Sequence, residues 1–116
     1  MNPDSRKVRA LGVIVARKAS TRFPGKVLEP LLGVPLVAYA VRAAVASRLD
    51  RVLISTEDDE IAEVAEHYGA EAGFRRPANL VTDYTQDHDI VLHALDWAES
   101  GGDKHYDVVV LIQSTT

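Results

Sequence analysis

The chain has 116 residues, of which 47% are hydrophobic and 26% charged, with a net charge of -4. That size and balance bound it to one domain and exclude a disordered chain, and the acidic total argues against a nucleic-acid partner. There are no cysteines, which excludes disulfide frameworks, thiolate nucleophiles and zinc-thiolate sites.

The opening MNPDSRKVRA lacks the apolar core of a signal peptide, and no apolar run approaches the ~20 residues of a membrane span. A cytoplasmic location without a membrane partner is the expectation. Val8 to Val15 reads as the first strand, and the apolar run stops at Ala16. The next ten residues carry Arg17, Lys18, Arg22 and Lys26 with no acid among them, and Ser20, Thr21 and Gly25 complete a small, hydroxyl-rich loop. Cations and backbone N–H groups at the carboxyl end of a strand suit a small anionic ligand, a polyphosphate above all. The loop is neither a P-loop nor a dinucleotide fingerprint, since it has no G-x-x-x-x-G-K-[ST] and no G-x-G-x-x-G.

Leu28 to Leu32 reads as an apolar connector, and Gly33-Val34-Pro35 as a turn. Pro35 suits the first turn of a helix running to about Arg48, with Leu36, Ala40, Ala43, Ala44 and Ser47 near one face. Arg51 to Ser55 is a second strand. Thr56 is the expected cap of the next helix, Glu57 to Glu60 put negative charge at its N-terminus, and Ile61, Val64, Ala65 and Tyr68 form its buried stripe. Gly69 is placed to end it in a left-handed conformation.

Ala70 to Phe74 reads as a weak third strand before the loop RRPANLVTDYTQ. Asp83, Asp87, His88 and Asp89 are read as a polar turn and an acidic first helical turn rather than a metal cluster. Ile90, Val91, Ala94, Leu95 and Ala98 give the stripe of a helix from about Asp87 to Ser100, with His93 packed or partly exposed rather than catalytic, Trp97 in the core or an interface, and Gly101-Gly102 as the stop. Tyr106 to Gln113 is the strongest strand signal, and its lack of alternation predicts burial on both faces. The order β-loop-α-β-α-β-α-β predicts a three-layer α/β domain, a Rossmann-like parallel sheet with helices on both faces.

Ala16-Arg17-x-x-Ser20-x-Arg22-x-Pro24-x-Lys26, followed by Pro-Leu-x-Gly-x-Pro-Leu at Pro30 to Leu36, resembles the nucleotide-binding motif of the CMP-sugar synthetases. These are the acylneuraminate cytidylyltransferases and their 3-deoxy-manno-octulosonate relatives. The likeness continues through Ser55-Thr56-Glu57, Tyr68-Gly69-Ala70-Glu71, Arg76-Pro77-Ala78-x-Leu80-x-Thr82-Asp83 and Leu111-Ile112-Gln113-Ser114-Thr115. It is collinear over almost the whole chain, and the RPA-x-L-x-[ST]-D segment favours the acylneuraminate branch.

The resemblance implies the nucleotide-diphospho-sugar transferase type of fold and transfer of CMP from CTP to an acidic sugar, with release of pyrophosphate. It implies nucleotide contacts by Ala16, Arg17, Ser20, Arg22, Lys26, Arg76, Pro77, Ala78 and Asp87. Arg17 and Lys26 would meet the developing charge as catalytic residues, the Arg76-Pro77-Ala78 loop would lie beside cytosine and ribose, and Gln113 would face the sugar or nucleotide. Departures are Val27 where the family often has Asn, Glu57 for the usual Asp, Gln113-Ser114-Thr115-Thr116 for Gln-Pro-Thr-Ser, and Tyr84-Thr85-Gln86-Asp87 in place of a serine pattern.

The family's chains are longer, so residues 1–116 are expected to be the N-terminal half of a longer catalytic domain. The acidic residues for Mg²⁺, most of the sugar pocket and a dimerisation arm would lie beyond it. With a strand order of 3-2-1-4 the Tyr106–Gln113 edge would be bare, and a homodimer or other self-association is expected to cover it. Two alternatives stand beside this reading: a non-catalytic nucleotide-binding module, and a cytidylyltransferase for another acidic sugar such as 3-deoxy-manno-octulosonate.

Overall fold

An apolar strand needs partners on both sides and cover on both faces before it can be buried, and β1 (Ala10–Val15) obtains all four. In this computed structural model the described residues are 8–18, 28–82, 84–101 and 105–114. From β1 the described chain resumes at Leu28 and forms a two-stranded hairpin, β2 (Pro30–Leu31) and β3 (Val34–Pro35). It then passes through α1 (Leu36–Val45), β4 (Arg51–Ser55), α2 (Asp59–His67), a 3₁₀ turn at Ala78–Leu80, α3 (Asp87–Ser100) and β5 (Val108–Gln113).

β1 pairs in parallel with β4 on one side and β5 on the other, with Ile14 level with Ile54 and Ile112. On one face Ile14, Val52 and Ile54 meet Val37, Val41 and Ala44 of α1 and Ile61 and Ala65 of α2. On the other Leu11, Val13 and Leu53 meet Phe74, Tyr106, and Ala94 and Ala98 of α3. The expected three-layer sheet with helices on both faces is therefore present. The chain leaves β1 towards β4, then returns to β5 on the opposite side. Right-handed connections put helices on one face before such a reversal and on the other after it, so the crevice for a ligand falls at the carboxyl ends of β1 and β5.

Several elements differ in detail from expectation. The first and last strands begin at Ala10 and Val108, with Tyr106 buried. The region of the expected connector holds the hairpin, whose turn lies at Leu32 and Gly33 (φ 54° and 83°); positive φ at both central residues is the mark of a type I′ turn. Pro35 sits one position before α1 at its N-cap, and the helix ends at Val45, where the Ser47 hydroxyl donates to the Ala44 carbonyl. The buried face of α1 is Val37, Ala38, Val41 and Ala44. The stripe read from the sequence instead lines a groove of about 540 Å³ through Ala40, Ala43 and Ser47, opposite Val110 and Ile112 of β5. Helix α1 has two apolar stripes, and the one with β-branched valines covers the sheet.

The cap of α2 is Asp58, which accepts the Ile61 N–H (2.9 Å), while Thr56 Oγ1 accepts the Asp58 N–H. Ile61, Ala62 and Ala65 are buried on α2, with Val64 and Tyr68 packed at the margin. The third strand is reduced to a parallel bridge between Leu53 and Glu71. Beyond it the chain turns away where Gly73 lies against the Trp97 ring, a contact that leaves no room for a side chain. At this amino edge of the sheet Arg51 makes a two-pronged ion pair with Glu71 (2.9 and 2.5 Å) and donates to the Tyr106 hydroxyl and the Ala98 carbonyl. Helix α3 has the expected bounds, with Ile90, Ala94 and Ala98 buried. Strand β5 is not buried on both faces. Among the described residues β1 is its only paired neighbour, and Val108 and Val110 are 45% and 39% exposed.

Gly69 adopts φ +116°, as its place after α2 predicts, and a Cβ there would stand 3.2 Å from Val45 Cγ2. Gly101 has φ −81° and open space around it. Gly69→Ala should therefore destabilise by about 1–3 kcal/mol, whereas Gly101→Ala should stay within about 0.5 kcal/mol of the parent, both read by urea unfolding. Equal effects would refute the backbone explanation.

Candidate functional site

Register fixes what meets at the carboxyl edge. Val15 is level with Ser55 and Gln113, so the residues that follow each strand, Ala16, Thr56 and Ser114, form the next row. Hydrogen bonds tie that row together. The Ala16 N–H donates to the Ser55 carbonyl (3.1 Å), and the Ser114 hydroxyl donates to the Val15 carbonyl (2.8 Å). The basic segment thus leaves from a fixed point.

The RPA segment comes to the same point. The Arg76 N–H donates to the Thr56 carbonyl (2.8 Å), and Arg76 Nη2 donates to the Ala16 carbonyl (2.9 Å). Only 3% of Arg76 is exposed, and its Nε is buried without a hydrogen-bond partner. Ser55 Oγ, at the end of β4, is likewise buried and unpartnered. Burial lowers the Arg76 pKa below the usual guanidinium value; the Glu57 carboxylate pulls it back up, and the Arg17 cation pushes it further down. Burial disfavours a charged form, an opposite charge favours it and a like charge opposes it. Two cations and one carboxylate therefore share this neighbourhood. A buried guanidinium with a spare donor beside a second cation can accept an anionic or oxygen-rich group.

Pro77 and Ala78 are exposed on the segment after Arg76, where the 3₁₀ turn begins with the Leu80 N–H on the Pro77 carbonyl. Asp87 is exposed in the first turn of α3. Because Ala98 lies against Arg51 at the start of β4, α3 runs antiparallel to the strands. Eleven residues of helix span about 16 Å, enough to carry Asp87 back to the carboxyl edge. Gln113 is exposed at the end of β5 and borders the apolar groove.

Among the expected nucleotide contacts, Ala16, Arg17, Arg76, Pro77 and Ala78 are brought together. Gln113 and Asp87 lie at the same edge on other elements. Ser20, Arg22 and Lys26 lie outside the described residues. Sequence reasoning gave Glu57 no role in the site, reading it as compensation for the α2 dipole and as a departure within the Ser55-Thr56-Glu57 motif. The Glu57 carboxylate accepts the Lys18 N–H (3.2 Å), and Lys18 Nζ lies 3.8 and 3.9 Å from Asp58 and Glu60. The one available signal was Glu in place of the family's usual Asp. Among the described residues no group of three or more His, Asp or Glu side chains is placed to hold a metal ion.

The sequence model of a family described as cytidylyltransferase matches residues 11–115. The pseudaminic acid cytidylyltransferase of Campylobacter jejuni is 38% identical over 109 residues, which cover 93% of this chain and 47% of that protein. The 3-deoxy-manno-octulosonate cytidylyltransferase of Zea mays is 39% identical over 114 residues, 96% of this chain and 35% of that one. The solved structure of a CMP:2-keto-3-deoxy-manno-octonic acid synthetase complexed with CTP superposes with a TM-score of 0.70 at 22% identity, over 91% of this chain and 40% of that one; that likeness concerns the fold. The chain spans about half or less of the length of these relatives. With its sheet, its strand-end site and a match over nearly its full length, the chain belongs to the cytidylyltransferase family.

Proposed function

We propose that this chain forms the CTP-binding part of an enzyme that transfers CMP to an acidic sugar of the acylneuraminate type. The observation that carries this reading is the convergence of Ala16-Arg17 and Arg76-Pro77-Ala78, sixty residues apart, through the buried Arg76–Ala16 hydrogen bond. In the proposed reaction a hydroxyl oxygen of the sugar forms a bond to the α-phosphorus of CTP as its proton passes to solvent, the bond to the β-phosphate bridging oxygen breaks, and pyrophosphate leaves with that electron pair. Positioning and charge stabilisation supply the catalysis in such a transfer. Arg17 and Lys26 meet the charge on the leaving group, with Ser20 and Arg22 on the triphosphate. The Arg76-Pro77-Ala78 segment and Asp87 lie along cytosine and ribose, and Gln113 contacts the sugar or nucleotide.

The acylneuraminate assignment rests on the RPA-x-L-x-[ST]-D segment. A 3-deoxy-manno-octulosonate acceptor is the second reading, favoured by the identity to the maize protein. Mg²⁺ is proposed to accompany the triphosphate, held by the phosphates and by groups other than the described carboxylates. No helix among the described residues is long and apolar enough to cross a membrane, and a cytoplasmic location is proposed from the nature of the substrates. We further propose that self-association covers the exposed β5 edge. The apolar edge itself supports this, since unpaired strands recruit partners.

Three measurements test these statements. CTP should move the amide signals of Arg17, Ser20, Lys26 and Ala78 more than ATP does; equal responses refute a cytidine site. Lys26→Ala should weaken triphosphate binding by about 1–3 kcal/mol, and Arg76→Met should weaken it at a modest cost in melting temperature, because a buried charge is removed but the Ala16 carbonyl loses its donor. Retained affinity in either variant removes that residue from the site. Val110→Lys should abolish concentration-dependent association in sedimentation velocity; association that persists places the interface elsewhere.

A further inference from the structure

Arg17 is flanked by two peptide groups, and each is held by a side chain from a different part of the chain. The carbonyl of Ala16, in the peptide before Arg17, accepts from Arg76 Nη2 at 2.9 Å. The N–H of Lys18, in the peptide after it, donates to Glu57 Oε1 at 3.2 Å. Since a residue has only two soft backbone dihedrals, fixing the peptide planes on both sides fixes where its side chain starts. Glu57 is itself oriented. Its Oε1 also accepts from the hydroxyl of Thr56, which is fully buried, and Thr56 in turn accepts the Asp58 N–H at the cap of α2.

We propose that Glu57 is a positioning residue for Arg17: it anchors the peptide after Arg17 to the α2 cap, as Arg76 anchors the peptide before it to the sheet. A carboxylate beside a polyphosphate site is electrostatically unfavourable on its own. Its hydrogen bond to the backbone accounts for its presence there. The pairing of Lys18 Nζ with Asp58 and Glu60 ties the same residue to the start of α2.

The functional part of this inference rests on the CTP reading above, and the test separates the two. Glu57→Gln keeps an oxygen that can accept the Lys18 N–H but removes the charge; Glu57→Ala removes both. Isotope-labelled parent and variants are compared by the Lys18 amide signal and its hydrogen exchange, by thermal melting, and by CTP titration. Glu57→Gln should keep the Lys18 amide protected and bind CTP as tightly as the parent or more so. Glu57→Ala should lose that protection and bind CTP about three- to ten-fold more weakly, the range expected for one hydrogen bond, although it has lost a negative charge. If Glu57→Ala binds CTP as well as or better than the parent, Glu57 is only a nearby charge and the inference is overturned. If the parent does not bind CTP, the CTP reading fails, while the Lys18 amide still decides whether Glu57 holds that peptide. Glu57→Ser, too short to reach Lys18, replaces Glu57→Ala should the latter not fold.

Discussion

The hydrogen bond from Arg76 to the Ala16 carbonyl is the contact on which the site's geometry depends. A guanidinium with 3% exposure is costly unless it is compensated. Here the compensation is local: one carbonyl, the nearby Glu57 carboxylate and the polar ends of β1 and β4. The compensation is also incomplete, because Nε has no partner. An interaction of this kind is a poor way to stabilise a fold and a good way to fix one segment against another. It fastens the residues after Phe74 to the end of β1, although the third strand never forms between them.

The two ends of the sheet are built differently for a physical reason. At the amino edge Arg51 is satisfied by Glu71, the Tyr106 hydroxyl and the Ala98 carbonyl, and its guanidinium lies 5.6 Å from the Trp97 ring centre. Those contacts close that end and join β4, α3 and the strand-like bridge in one cluster. At the carboxyl edge the polar groups are held in place but left partly unsatisfied. Unpaired buried polar groups weaken a fold; of the three such side-chain atoms among the described residues, Ser55 Oγ and Arg76 Nε lie at this edge, the one from which open α/β sheets bind ligands, and the third is His93 Nδ1 on α3.

The strand at Arg51–Ser55 is legible to the residue and the helix at Asp87–Ser100 nearly so, because turn residues or glycines bound each of them. The left-handed Gly69 was legible for the same reason. What was not legible was set by tertiary contact. Helix α1 carries two apolar stripes, and only the sheet decides that Val37 and Val41 face it. The pattern of β5 is that of a buried strand, yet an apolar sequence cannot state how many neighbours it has. Ala70–Phe74 has strand composition, but Gly73 is taken by the Trp97 ring, twenty-four residues later. In the site, the strand-end position of Arg17 followed from the sequence pattern. The burial of Arg76 did not, since an arginine beside a proline in a polar loop gives no local sign that its guanidinium turns inward.

The net charge of -4 and a site for a polyanion are compatible once distance and dielectric are considered. Exposed acids such as Glu63, Glu66, Asp89 and Asp96 lie on helix surfaces facing water, where ions screen their fields over about 8–10 Å. Arg76 is shielded from that solvent, so its field acts on the strand end with little screening. The acids close enough to matter are those of residues 57–60, and they are engaged: Glu57 and Asp58 with backbone N–H groups, Asp58 and Glu60 with Lys18, and Asp59 with Arg75. Asp58, Asp59 and Glu60 thereby each gain a cationic partner, while Glu57 stays beside Arg76 with its carboxylate bonded to the Lys18 N–H. A chain that is acidic overall thus keeps two cations, Arg17 and Arg76, at the strand end, with the nearby carboxylates engaged in contacts that hold the backbone in place.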